Sequence, residues 1–471
     1  MTRPPILDIA DMVGDPVAPA DFPKTVLRYR NQRWADHMGL GGLSDPDWIS
    51  HFARFDPLAG NLPEPLALRY HGHQFGTYNP QLGDGRGFLF VQLEGPDGRT
   101  LDLGTKGSGQ TPYSRQGDGR LTLKGAVREV LASSYLEALG VSTSKTFSVV
   151  ETGEELHRGD EPSPTRSAVL VRLLHSHIRF GSFQRLAWME DHAGLERLLD
   201  HCVTTYHPGA RRAETSEMTA AFITEVSEAT ARMVAQWMAA GFVHGVMNTD
   251  NFNITGETFD FGPYRLLPVS DPNFTAAYFD ETGLYRFGRQ PTQAGWALQQ
   301  LASALLPLAS VDELTAALAS FQDVYQTAFA RHTLFLLGLR DGPNLAGDLT
   351  FLQTFYGWMT ASEASWAQTF FDWFGGLESQ DRAAGSPQAG LYAEAEFAPV
   401  REMLLAREPD RPERLQHTYF QASRPVSLVI DEIENLWTPI AEDDDWGRFE
   451  KKLASIEKLG GALRTIADVP R

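Results

Sequence analysis

The sequence predicts an α+β fold in two lobes, a strand-rich N-terminal lobe and a helical C-terminal lobe, with an extra C-terminal helical region. Three observations carry that prediction. Short apolar runs bounded by Gly- and Pro-containing turns fill much of the chain between residues 61 and 182. From about residue 183 the apolar positions recur at helical spacing. Polar residues suited to binding ligands collect where the two patterns meet.

Taken in order, residues 1–60 have several prolines and no sustained periodicity, and read as a wrapping segment with one short helix near Val26–Met38. The N-lobe, 61–182, holds Leu82-Gly-Asp-Gly-Arg-Gly87, three glycines in five positions just before an apolar run. Phe88–Leu93 then reads as a strand, Gly95-Pro-Asp-Gly98 as a turn and Thr100–Lys106 as the hairpin partner. After a polar loop, Val127, Leu131, Tyr135 and Leu139 mark one face of a helix that Gly140 closes. Glu129 lies on that helix, 23 residues beyond Lys106. Strands follow at Thr146–Glu151 and Ala168–Leu174, the second carrying Arg172. In the helical lobe, 183–345, Ser216 is expected to cap a long helix with the stripe Phe222, Val226, Ala229, Met233 and Trp237, ending at Gly241. Residues 292–340 are again amphipathic, and 346–471 read as aromatic-rich helices with an acidic patch at Glu442-Asp-Asp-Asp445.

Composition narrows the function classes. Of 471 residues, 42% are hydrophobic and 21% charged, as in globular proteins rather than disordered ones. No apolar run approaches the roughly 20 residues that span a bilayer, and the acidic, proline-containing N-terminus resembles neither a secretory signal nor a transit peptide. A membrane is therefore not an expected partner, and a cytoplasmic address is. The single cysteine, Cys202, excludes an intrachain disulfide framework and reads as a small buried hydrophobe. Net charge is −19, from 41 basic and 60 acidic residues, which argues against nucleic acid. Residues 81–190 are nevertheless locally neutral, with 13 Lys/Arg against 13 Asp/Glu, and a basic pocket in an acidic surface suits a small polyanion.

The most telling stretch is His244-Gly-Val-Met-Asn-Thr-Asp250-Asn251, followed nine residues later by Asp260-Phe261-Gly262. Protein kinases and antibiotic phosphotransferases place His, Asn and Asp-Phe-Gly in this order to hold magnesium on a nucleotide. Hard cations want oxygen ligands, which Asn251 and Asp260 supply. The kinase catalytic Asp lies two positions after the His; here that position is Val246, and a carboxylate stands instead at Asp250. Glycine clusters alone are usually turns, and a lysine at a strand end is usually solvated. Loop, strand Lys106, helix Glu129, long helix, His244, Asn251 and Asp260 together occur in kinase order, and that order points to a nucleotide site on a protein-kinase-like fold. Arg172 and Arg179 add bidentate phosphate donors beyond what a kinase needs. Asp118-Gly119-Arg120 reads as a second phosphate- or base-facing loop. His71 with His73, and His175 with His177, have the i, i+2 spacing of strand metal ligands but no third ligand, which favours packing or hydrogen-bonding roles.

Tyr70-His-Gly-His-Gln-Phe-Gly76, Gln81-Leu-Gly-Asp-Gly-Arg-Gly87, Lys106-Gly-Ser-Gly-Gln-Thr-Pro-Tyr-Ser-Arg115, Gly117-Asp-Gly-Arg120, Ser176-His-Ile-Arg-Phe-Gly181 and His244–Asn251 together resemble the selenoprotein O family. These are pseudokinase-fold protein adenylyltransferases, and the likeness covers about residues 60–310. It implies ATP bound in a flipped orientation, so that AMP passes to Ser, Thr or Tyr hydroxyls of protein substrates and pyrophosphate leaves. Carried onto matching positions, it implies that Gly83, Gly85, Arg86, Lys106, Asp118, Gly119, Arg172, Arg179 and Asp260 bind ATP. Glu129 would orient Lys106, Asn251 and Asp260 would hold magnesium (or manganese in its place), and Asp250 would accept the proton. Two departures stand out: the ending Ile466-Ala-Asp-Val-Pro-Arg471 has neither cysteine nor selenocysteine, and no cysteine follows Asp271-Pro-Asn-Phe. Redox control by a terminal disulfide is thus not expected, and the last 120 residues match poorly and look shortened. Two other readings stay open: a kinase that transfers the γ-phosphate to a small molecule, and a catalytically silent nucleotide-binding scaffold.

Overall fold

A computed structural model describes residues 3–159 and 161–463. The ending Ile466–Arg471 lies outside the described residues. The strands are β1 (Gly14–Pro16), β2 (Val26–Arg30), β3 (Asn61–Leu68), β4 (Gly72–Gln74), β5 (Thr77–Asn79), β6 (Leu89–Glu94), β7 (Thr100–Lys106), β8 (Leu121–Thr122), β9 (Lys145–Leu156), β10 (Thr165–Leu174), β11 (Phe242–Val243) and β12 (Arg265–Leu266). Seven of them form an antiparallel sheet in the order β1-β3-β6-β7-β10-β9-β2, with β8 also paired to β10.

Strand alternation gives this sheet two different faces. On β10, Val169, Val171 and Leu173 pack with Trp48, Phe52 and Phe147 in one apolar cluster, while Ala168 and Leu170 face a second, larger one. On β7, Leu101 and Leu103 join the first cluster. The same alternation sends Asp102, Gly104 and Lys106 to the opposite face, together with Arg172 of β10. That face is covered by the helix Leu123–Ala138, whose Thr122 side chain caps its N-terminus and whose Ala126, Val127, Val130 and Leu131 are buried. Glu129 is buried on the same helix, which places one carboxylate over the basic ends of β7 and β10.

The β6–β7 hairpin and the strands at 146–151 and 168–174 occur where the sequence puts them. Two expectations need correction. Val26–Met38 is not one helix: Val26–Arg30 is the edge strand β2, paired with β9, and only Gln32–His37 is helical, capped by Asn31. The β-prone Val-Leu-Arg-Tyr run finds a free sheet edge, and pairing with a distant strand overrides a local helical preference. β1 and β2, both from the first 60 residues, are thus the two outer strands of the sheet. Nor does Ser216 cap the long helix, which spans Thr215–Ala240 with Glu214 at the N-cap and no side-chain cap bond. Its far end is as expected, closing at Gly241 with φ +67°.

After Gly241, β11 and β12 pair antiparallel and hold together the two ends of the loop between them. The loop meets the strand-rich half where the Ser144 N–H donates to the Thr258 carbonyl at 2.9 Å and Lys106 bonds to Asp260. Helices at Gln290–Ala304, Val311–Leu318 and Phe321–Leu336 complete the helical half, followed by the aromatic-rich helices Leu345–Ser362 and Trp366–Asp372. The last described helix, Gly447–Leu463, returns to pack on Leu123–Ala138. Among the described residues no helix is long and apolar enough to cross a membrane.

Candidate functional site

A cleft of about 770 Å³ opens between the basic face of the sheet and the His244–Tyr264 loop. Gly83, Gly85, Arg86, Lys106, Asp118, Gly119, Arg172, Arg179, Asp250, Asn251 and Asp260 all line it. Glu129 does not reach the cleft surface; it stands behind Lys106.

Lys106, at the end of β7, is 5% exposed and bonds both to Glu129 and, at 2.6 Å, to Oδ1 of Asp260. The Arg172 guanidinium lies 3.9 Å from Glu129 and 3.8 Å from Asp260. Two cations and two carboxylates thus share one corner, buried except for Asp260, which opens to the cleft. Burial opposes ionisation of Asp260, yet Lys106, Arg172, Arg179 and Arg86 together hold its carboxyl well below the ordinary range. Asp260 also has φ +63°, a strained conformation for a residue other than glycine, of the kind that clusters at functional loops.

The glycine-rich loop is held from behind by the second polar loop. Thr111 Oγ1 donates to the Asp84 carbonyl at 2.6 Å, and Ser114 Oγ to the Gly85 carbonyl at 2.5 Å. A Cβ on Gly83 would lie 2.3 Å from the Tyr113 ring, and one on Gly87 would lie 2.2 Å from the Thr105 carbonyl oxygen. Close approach of the loop's own neighbours is thus a reason for these glycines that is independent of any nucleotide. Asp118 of the second loop pairs with Arg158 at 2.8 Å, and Arg120 with Glu154 at 2.9 Å. Arg179 is buried across Tyr70 and Phe259, and donates to the Asp250 carbonyl and to Asp84, each at 3.0 Å.

Asp250 sits in the short turn Thr249–Asn251. Its Oδ1 is buried and has no hydrogen-bond partner. Burial pushes its carboxyl up to about 6, against the opposing charge of Arg179. Asn251 commits its amide nitrogen to the Val246 carbonyl at 2.8 Å, which leaves its oxygen as the acceptor. His244, where the kinase order begins, is buried below the loop with Nε2 at 3.1 Å from the Phe259 carbonyl, and burial lowers its pKa. Its place is structural, bracing the turn into Asp260. Among the described residues no three His, Cys, Asp or Glu side chains converge as a metal cluster. A hard cation nevertheless has suitable oxygen donors in the Asn251 amide oxygen and the Asp260 carboxylate, both of which line the cleft.

The paired histidines all have protein partners. His71 meets the Tyr78 hydroxyl at 2.8 Å, His73 meets Gln184 at 2.9 Å, and His177 meets Asp102 at 3.2 Å. The His175 ring packs on Tyr206. Sequence reasoning missed Asp84, Arg158 and the buried Asp102. Asp84 had a local signal, an acid inside the glycine-rich loop; Arg158 is 40 residues from Asp118 and had none.

The family model described as "Protein adenylyltransferase SelO" matches residues 3–457. A protein nucleotidyltransferase YdiU of Synechocystis sp. is 40% identical over 470 residues, covering 97% of each chain. That of Synechococcus elongatus is 43% identical over 473 residues, covering 96% of this chain and 94% of its own. That of Gloeobacter violaceus is 42% identical over 474 residues, covering 97% and 95%. The family match carries the likeness past residue 310, as far as residue 457. The aromatic-rich C-terminal helices are part of the shared pattern.

Proposed function

The chain belongs to the SelO family of protein adenylyltransferases and is a nucleotidyltransferase, and from that premise we propose that it transfers AMP from ATP to Ser, Thr or Tyr hydroxyls of proteins. In this reading the sheet and the helical half are the two lobes of a kinase-like fold. Residues 61–182 and 183–345 supply the body of the lobes, β1 and β2 from the first 60 residues add the sheet's outer strands, and the described helices after residue 345 pack around them.

One observation carries the proposal: a buried carboxylate with an unpartnered oxygen, Asp250, shares a cleft with Lys106, Arg172 and Arg179, while Val246 stands where a kinase base would be. Asp250 Oδ1 accepts the proton of the acceptor hydroxyl. The hydroxyl oxygen forms a bond to the α-phosphorus of ATP as the bond from that phosphorus to the bridging oxygen breaks. Pyrophosphate leaves with the electron pair, and Lys106, Arg172 and Arg179 offset its charge. Gly83, Gly85, Arg86, Asp118 and Gly119 complete the nucleotide cradle, and Glu129 keeps Lys106 aimed at it. Magnesium, or manganese in its place, would be held by Asn251 and Asp260 and supplies charge neutralisation on the polyphosphate.

ATP labelled separately at the α and γ positions tests this reading. Label on protein from the α position alone is expected. Label from the γ position would make the chain a kinase, and retained ATP binding without any label would make it a silent scaffold.

A further inference from the structure

Asp102 and His177 form a buried acid–imidazole pair at the wall of the cleft that the transfer chemistry above does not use. Asp102 is 1% exposed, and its carboxylate accepts from Gln92 Nε2 at 2.7 Å, from the His177 backbone N–H at 2.9 Å and from His177 Nδ1 at 3.2 Å. Three contacts to one carboxylate fix the ring and assign Nδ1 as a donor. That leaves Nε2 to find a partner outside this group, and His177 lines the cleft.

Where the ring lies says what that partner is. A Cβ on Gly104 would come within 2.2 Å of His177 Nε2, so the imidazole rests directly on the bare backbone of β7. In the β7–β10 register, Arg172 stands opposite Gly104, and Lys106 is two residues further along the same face of β7. His177 therefore belongs to the patch that already holds Lys106 and Arg172. Such a patch suits the anionic end of a nucleotide and not a neutral base. With Nδ1–H held by Asp102, a proton on Nε2 would make the ring a cation, and the Asp102 carboxylate beneath is placed to offset that charge.

We propose that His177 is a contact for the β- and γ-phosphates of ATP, donating from Nε2 to the pyrophosphate that leaves, with Asp102 as its positioning residue. This deepens the adenylyl-transfer reading and takes from it the identity of the leaving group.

The test compares affinities for ATP, inorganic pyrophosphate and AMP in magnesium buffer, for the wild type, His177→Ala and Asp102→Asn. His177→Ala should weaken ATP and pyrophosphate by about ten- to hundredfold, the usual worth of a charge-assisted hydrogen bond. AMP affinity should stay within about twofold of the wild type. Asp102→Asn keeps the side-chain shape but not the charge, and should give a smaller loss with the same ligand pattern. If AMP weakens as much as pyrophosphate, or if neither variant changes pyrophosphate binding while melting at the wild-type temperature, the assignment is wrong. Should His177→Ala fail to fold, Asp102→Asn decides by the same criterion. No transfer is read here, so a protein that binds pyrophosphate through His177 but leaves no AMP on protein would overturn the transfer reading alone.

Discussion

Asp250 and Val246 stand four residues apart in one loop, and the difference between their side chains decides where a proton can go. Val246 has nothing to accept with; Asp250 offers a buried oxygen with no partner. Asp250→Ala and Asp250→Asn should both fold and bind ATP, and both should lose AMP transfer by about 10²–10⁴-fold, the usual contribution of a general base. The Asn variant is the sharper comparison. It preserves shape and hydrogen bonding, so if Asp250 merely braced the loop, Asn would retain most activity in an AMP-incorporation assay. Lys106 and Glu129 separate in a different way. Lys106→Ala should weaken ATP binding and transfer together, whereas Glu129→Ala should mainly slow transfer, because the lysine remains but loses the carboxylate that aims it. Calorimetry and single-turnover transfer measure the two effects, and wild-type rates in both variants would rule out the proposed geometry. At this scale much of the site was readable from order along the chain: Lys106, Glu129, Asn251 and Asp260 sit at recognisable intervals. Asp102, Arg158 and the resting place of His177 were not, because their partners lie 75, 40 and again 75 residues away and meet only through the sheet.

Loops and strands obey the same division between local and distant causes. The β6–β7 hairpin, the helix bearing Glu129 and the end of the long helix at Gly241 were legible, since each is set by its own turn or cap residues. The edge strand β2 was not. Its Val-Leu-Arg-Tyr run is ambiguous alone, and only the open edge of β9 makes it a strand. Ser216 misled for a related reason: the first turn at Thr215 packs without a side-chain cap. The glycine-rich loop combines both kinds of cause, a local signal with a tertiary requirement. Because a Cβ on Gly87 would meet the Thr105 carbonyl at 2.2 Å, Gly87→Ala must push apart the β6–β7 pair just before Lys106. A cost of about 1–3 kcal/mol is expected, typical of overpacking, with a matching loss of ATP affinity. Gly42→Ala, where nothing lies within 4 Å, serves as the control. Thermal unfolding of the two variants should separate clearly; equal melting temperatures would mean that the loop yields without strain.

Across the whole molecule, the C-terminal helices close back on the strand-rich half. Lys124 reaches Glu434 at 2.7 Å, and the Tyr135 hydroxyl donates to the Val426 carbonyl at 3.2 Å, so the helix that carries Glu129 is held from its outer side as well as by the sheet. Sequence patterning marked Glu442–Asp445 only as an acidic patch. In the fold, one member of that patch is a bridge. Asp444 lies 3.1 Å from Arg28 on β2 and 2.7 Å from Arg166 on β10, tying the last helices to the two strands that flank β9. Burial resists the charge on Asp444, but Trp446, Arg166 and Arg28 outweigh it and hold the carboxyl at about 2. A depressed carboxyl contributes stability that is fully present above its unfolded value, near 4, and is lost as pH falls towards 2. Asp444→Asn should therefore lower the melting temperature at pH 7 and make progressively less difference between about pH 4 and pH 2. Half of the Asp444 side chain is in water (51% exposed), so screening limits the effect to under about 1 kcal/mol at neutral pH, and added salt should shrink it further. A gap between wild type and variant that stayed constant over that pH range would mean that the carboxylate charge plays no part in holding the C-terminal helices to the sheet.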